Sequence, residues 1–283
     1  MDGGHTVRAT AENAQLALLL EVASTPKPGN VDRAREYPDL RFEHFLAGAV
    51  GAREGFALAA DGAPVGQSFR TAIAGMSEQS GGNTHFGAIL LLTPLVRAAA
   101  AGDLSSAGVE RVLGGTSVAD AAEFYRAFEF VDVAVEDPPE GMEDLDVRRG
   151  GDAVPAVHER GLTFAGLMEQ SAPADGVAAE LVSGCPRTFR TADRIVEGSG
   201  SVTDCAARAY LEALAAEVDT FVRTKHDRET AEEVRRRAAA AAEGAEDPGT
   251  LAAEFVERGI NPGTTADIVA GGLFVALERG LEV

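Results

Sequence analysis

Lysine is nearly missing from this chain: among 283 residues it occurs only as Lys27 and Lys225, and arginine carries the rest of the positive charge. Tryptophan is absent and cysteine occurs twice, as Cys185 and Cys205. Neither cysteine has a CxxC or histidine partner at ligand spacing, which argues against a disulfide framework or a thiolate metal site. No apolar run is long enough to span a bilayer. The strongest, FGAILLLTPLVRAAAA from Phe86 to Ala101, contains Pro94 and Arg97 and reads as a buried helix. The first residues, MDGGHTVRATAEN, lack a basic segment followed by an apolar one, so no signal peptide is expected and the protein is placed in the cytoplasm.

Negative charge, by contrast, is in excess. Asp and Glu total 45 against 25 for Lys and Arg, a formal net charge of -20. Such a surface repels nucleic acid and anionic membrane, so neither is expected as a partner. Carboxylates that hold hydration suit a protein working in concentrated salt; a genome preferring arginine codons produces part of the same signature.

Helical patterning dominates. Helices are predicted over Glu12–Ala23, Arg41–Ala60, Pro64–Met76, the buried segment after Asn83, Ala107–Leu113, Val118–Phe130, Phe164–Ser171, Asp175–Ser183 and Pro186–Val196. A long helix is predicted from Val202 to about Lys225, a surface helix over Ala231–Ala245 and a last one over Thr264–Glu278. Val131–Val135 is the one strand candidate, and a single pentamer cannot make a sheet. The run EDPPEGMEDLDVRRGGD, residues 136–152, reads as a long surface loop, either a lid or a boundary between lobes. The expected fold is all-α: a multi-helical single domain, residues 1–283, with a central buried helix.

Three segments invite chemistry. In STPKPGNVD, Pro26 and Pro28 hold Lys27 in extended backbone, so the ammonium loses little freedom on meeting an anion; the same segment serves as a stiff connector with a solvated lysine. In QSGGNTHFGA, Gly81 and Gly82 permit close backbone approach, Asn83 or Thr84 can cap, and the apolar helix behind them starts at or inside the core. Such a helix start suits a phosphate, yet a plain Gly-Gly turn with His85 as a core histidine accounts for it equally. In DTFVRTKHD the seam Leu211, Leu214, Val218, Phe221 steps on to Lys225, with Asp219, Arg223 and His226 beside it; a helix already exposed there is the simpler account. In INPGTTAD, Thr264 and Asp267 fit a capping box.

Taken together and in this order, PKPGNVD, GGNTHFGA, DTFVRTKH and NPGTTAD resemble the triphosphoribosyl-dephospho-CoA synthase family, and SAPADGVAAELVSGCPRTF (Ser171 to Phe189) is similar to its central segment. The likeness runs over most of the chain. It implies an all-α transferase that moves the 5-triphosphoribosyl group of ATP to the ribose 2′-hydroxyl of 3′-dephospho-CoA and releases adenine. Substrates are then ATP, with Mg²⁺, and a dephospho-CoA-like acceptor, in a monomer or a homodimer. The acidic, arginine-rich composition resembles halophilic archaeal members.

On that resemblance Lys27, Gly82, Asn83, Thr84, Arg223, Lys225, His226 and Asn261 are assigned to phosphates or nucleotide. His85 or His226 contacts the base or a phosphate. Asp219 and Asp267 are assigned to Mg²⁺ or to general-base catalysis, with Asp32 a weaker candidate. The sequence departs from the family pattern at YPDLRFEHF (Tyr37 to Phe45) and at Phe86, where a lysine is expected. Related ribosyl transfer in another cofactor pathway, or nucleotide binding without turnover, are the alternatives. A helical isoprenoid synthase is not, since no DDxxD is present.

Overall fold

The computed structural model describes residues 8–138 and 140–283. Its helices are α1 (Thr10–Ala23), α2 (Phe42–Gly51), α3 (Arg53–Ala60), α4 (Val65–Met76), α5 (Phe86–Ala100), α6 (Ser106–Gly114), α7 (Val118–Ala127) and α8 (Val154–Glu159). They continue as α9 (Phe164–Ser171), α10 (Gly176–Val182), α11 (Pro186–Glu197), α12 (Val202–Ala216), α13 (Thr220–Lys225), α14 (Arg228–Ala242), α15 (Pro248–Glu257) and α16 (Gly263–Glu278). No strand forms among the described residues, and the fold is all-α.

One apolar cluster runs from Ala11 to Leu277. Its most enclosed element is α16: from Thr264 to Leu277 every residue but Asp267 is buried. A helix apolar on all sides has no solvent face to offer, so it is wrapped, here by α1, α5, α11 and α12. Helix α5 meets α16 directly and is buried through most of its length. A smaller cluster of Val22, Val31 and Phe45, with Tyr37, Leu40, Phe42 and Leu46 against it, anchors the loop that follows α1.

Three predicted boundaries are corrected. The segment 41–60 is two helices, interrupted at Ala52 where Gly51 crosses the backbone of Gly75. The long helix from Val202 stops at Ala216, because Asp219 takes extended backbone and its carboxylate caps a new helix, accepting from Val222 N at 3.1 Å. The apolar seam therefore does not run on to Lys225. The run 136–152 also carries two short 3₁₀ turns, Glu143–Leu145 and Val147–Ala153. The surface helix α14 lies against α12 through Ala231, Val234, Ala238 and Ala241, exposes Arg228 and Arg236, and pairs Arg237 with Glu254 of α15.

Candidate active site

The PKPGN loop is folded inward. Lys27 has no solvent exposure; its Nζ forms an ion pair with Glu21 near the end of α1 and donates to Asn30 Oδ1 at 3.0 Å. Burial raises the Glu21 pKa, and the neighbouring ammonium opposes that shift. Asp32 closes the loop by accepting from Lys27 N at 3.1 Å and Thr25 Oγ1 at 2.8 Å. Gly29, at φ 77°, lets the loop press against the segment before α16: a β-carbon there would stand 2.2 Å from the carbonyl oxygen of Ile260. Asn30 then donates to Asn261 Oδ1 at 2.9 Å, joining the first motif to the last.

At the start of α5 the cap position falls on His85, while the Asn83 side chain accepts from Phe86 N at 3.1 Å from two residues further back. His85 shares its Nε2 proton with the Phe45 carbonyl at 2.9 Å, which leaves Nδ1 unprotonated. Burial holds its pKa down to about 4, so the ring is neutral near pH 7. Gly82 has φ 70° and open space around it. The Thr84 hydroxyl is buried with no hydrogen-bond partner among the described residues.

The capping box expected of Thr264 and Asp267 does not form. Pro262 holds the cap position of α16, and the free amide of Thr265 is taken instead by Asp219, whose Oδ2 accepts from Thr265 N at 2.8 Å and Thr265 Oγ1 at 2.7 Å. Asp219, fully buried, thus starts α13 with one oxygen and clamps α16 with the other. Asp267 is released to reach across to α5, where its carboxyl lies over Gly87 and beside Ala88. Its pKa is pushed well up, first by burial and then by the charges of Glu21, Asp219 and Asp175.

These pieces surround one cavity of about 560 Å³, a size usual for small-ligand sites. Its polar end gathers Glu21, Asn30, Asn83, His85, Asn261 and Asp267, together with Thr220 and Asp175 at the starts of α13 and α10. Helices that begin at the cavity point their positive ends into it and partly offset those carboxyls. The other end is apolar, walled by Phe86, Phe124, Phe128, Leu167 and Met168, and covered by residues 133–138 and 142–147. No lysine or arginine is among the described residues that line it. A larger cleft of about 870 Å³ lies between α4, α6 and α7. It holds none of the motif residues, and two of its arginines face their own carboxylates: Arg70 on Glu123 at 2.9 Å and Arg111 on Asp103. The smaller cavity is the candidate site.

Of the residues singled out from the sequence, Asn83, Thr84, His85, Asn261 and Asp267 line this cavity. Lys27 and Asp219 lie one layer behind it, each held by cavity-lining elements. Arg223 donates to the Ala174 carbonyl at 2.6 Å, and the exposed Lys225 and His226 contact the Phe221 ring and the Gly259 carbonyl. Gly82 shapes the turn without lining the site. Asp219 does not line the cavity and accepts hydrogen bonds on both oxygens, which leaves Asp267 as the carboxyl of the pair that faces it; no group of three His, Cys, Asp or Glu suited to a metal ion occurs among the described residues. Glu21, Asn30 and Asp175 went unread in the sequence; only Asn30 carried a signal, as the residue after PKPG. Phe86, at the position of the expected lysine, packs its ring with Phe128 at 4.9 Å and Phe69 at 5.2 Å.

An all-helical enzyme fold is thereby defined, with carboxyl, carboxamide and neutral imidazole groups converging where a core helix begins. The model of the family described as CitG: ATP:dephospho-CoA triphosphoribosyl transferase matches residues 7–282, and the chain belongs to that family. Among solved structures, a crystal structure of a candidate triphosphoribosyl-dephospho-CoA synthase from Archaeoglobus fulgidus superposes with a TM-score of 0.68 at 24% identity, over 84% of this chain and 100% of that one. At that identity the likeness establishes the fold. No curated protein sequence matches the chain.

Proposed function

We propose that the protein transfers the 5-triphosphoribosyl group of ATP to the ribose 2′-hydroxyl of 3′-dephospho-CoA. The bond from the ribose anomeric carbon to adenine breaks, a bond from that carbon to the acceptor oxygen forms, the hydroxyl proton is removed and adenine leaves protonated. The observation that carries this reading is the meeting of four motifs distant in sequence around one cavity, with Asp267 aimed at the start of α5.

Asp267 is the group suited to the acceptor's proton. A general base works best with a pKa near the working pH, and burial among other carboxyls moves Asp267 in that direction. Neutral His85 cannot serve as a cationic acid, but its Nδ1 accepts a hydrogen bond; Asn83, Thr84 and Asn261 supply neutral contacts to ribose and base. Lys27 and Asp219 position this shell by bonding Glu21, Asn30 and Thr265 from behind. No described lysine or arginine lines the wall to offer a triphosphate counter-charge; Mg²⁺ bound to the substrate ATP would supply it, with Asn83 and the helix starts placed to meet the phosphates.

Both thiols are free and buried, in keeping with a reducing cytoplasm. The net charge of -20 is in keeping with work at high salt.

The test is incubation with ATP, Mg²⁺ and dephospho-CoA, read by mass spectrometry for the triphosphoribosyl adduct and for free adenine. Both are expected in equal amounts. Absence of both would leave a nucleotide-binding helical protein without turnover.

A further inference from the structure

The strand candidate Val131–Val135 finds no strand to join. Among the described residues, no backbone hydrogen bond involves any residue from Asp132 to Pro138. Val133, Ala134 and Val135 are half-buried and line the cavity with main-chain groups that no described protein group bonds. The segment is held by side chains: Val133 packs against the apolar core, Glu136 accepts from Thr224 Oγ1 at 3.2 Å, and Asp137 pairs with Arg148 at 2.8 Å. A main chain kept in place but left unpaired beside a cavity is an edge awaiting a partner.

The wall it shares is the apolar one. Phe124, Phe128, Leu167 and Met168 offer no hydrogen-bonding group, and the Tyr125 hydroxyl is spent on the Leu145 carbonyl at 2.8 Å; Gln170 and Ser171 follow at the end of α9. Departing adenine needs partners on its ring nitrogens, and those stand at the opposite, polar end. An apolar floor beneath an unpaired main chain instead suits a flexible, uncharged chain with its own amide groups.

We propose that residues 133–135 recognise the acceptor through the backbone: the pantetheine arm of dephospho-CoA lies along them, its two amides bonded to their N–H and C=O groups and its methyl and methylene carbons over Phe128, Leu167 and Met168. This rests on dephospho-CoA being the acceptor. It makes the arm a determinant of specificity, separate from the reacting ribose held near Asp267.

The decisive measurement is hydrogen exchange followed by mass spectrometry on the unmodified protein, with saturating dephospho-CoA or with ADP, which carries the same adenosine and diphosphate without the arm. Dephospho-CoA is expected to slow exchange at Val133 to Glu136 about tenfold or more, and ADP to leave it unchanged. No protection by dephospho-CoA, or equal protection by ADP, overturns the proposal. In turnover, Val135→Pro, which removes one N–H, is expected to raise the KM for dephospho-CoA about tenfold while sparing the KM for ATP and any transfer to ADP. An equal loss with both acceptors also overturns it. Protection without transfer to any acceptor would refute the catalytic reading and keep this one; transfer to dephospho-CoA without protection would do the reverse.

Discussion

Asp267 and Gly87 lie against each other where α16 meets α5: a β-carbon at position 87 would stand 2.0 Å from Oδ2 of Asp267. The contact is the α5 backbone against the end of the Asp267 side chain, so an added β-carbon would turn the carboxyl aside. Gly87→Ala is therefore expected to displace the carboxyl from the start of α5 and lower kcat about 100-fold, with the far-ultraviolet spectrum unchanged. Asp267→Asn should lose at least as much. The acidic limb of the wild-type pH–rate profile should also lie well above the ordinary carboxylate pKa and vanish from the residual activity of the Asn variant. A limb unmoved by that substitution would assign the proton to another group.

Lys27 and Glu21 are a buried ion pair, and removing one partner strands the other. Lys27→Met is expected to lower unfolding free energy by about 3 kcal/mol or more in urea titration, whereas the double variant Lys27→Met with Glu21→Leu recovers much of the loss. Lys225, exposed at the end of α13, should tolerate alanine with unchanged affinity for ATP.

Asp219 accepts three hydrogen bonds that join α13 to α16. Asp219→Ala leaves those donors buried and unpaired, at a cost of about 3 kcal/mol in stability. If Asp219 positions other groups and makes no substrate contact, Asp219→Asn should retain part of the activity and show the wild-type pH–rate profile. Its loss with stability intact would place the carboxylate in the chemistry.

His85 titrates near 6.5 when unfolded and at about 4 when folded. The folded state thus binds fewer protons between those values, and its stability, complete above pH 6.5, falls as pH drops toward 4, by about 3 kcal/mol. Glu21, Asp219 and Asp267 have raised pKa values and act with the opposite sign: their contribution is present at low pH and is lost as pH rises through the folded values. The His85 part is isolated by subtracting the pH dependence of His85→Gln from that of the wild type. Parallel curves would show that the imidazole is not held neutral.

Self-repulsion from a net charge of -20 is screened by salt. Melting temperature is expected to rise steadily from low salt to molar KCl. A flat or falling trend would separate the acidic composition from any adaptation to salt.

The all-helical fold was legible in the sequence because helical periodicity and breakers are local signals, and most predicted spans lie within a few residues of the observed ones. Helix α15 was overlooked although Asp247, Pro248 and Thr250 announce its start: Asp247 Oδ2 accepts from Thr250 N at 2.7 Å, and proline stands in the first turn. Helix α8 carries fainter marks and sits beside the irregular run 136–152. The break before α13 was hidden for a different reason. Val218 and Phe221 keep the helical spacing, and only the remote Thr265 gives Asp219 a second set of donors.

What the sequence alone determined is which segments matter: proline-flanked lysine, Gly-Gly-Asn-Thr-His, and the two aspartate-bearing motifs are recognisable as strings. Tertiary structure decided which residues in them face the cavity. Lys27 and Asp219 are conspicuous as letters, but a charge taken out of water must first be bonded, and their bonds turn both toward the scaffold. Glu21, Asn30 and Asp175 reach the cavity because of where α1, the loop after it and α10 come to rest, and that resting place depends on contacts made far along the chain.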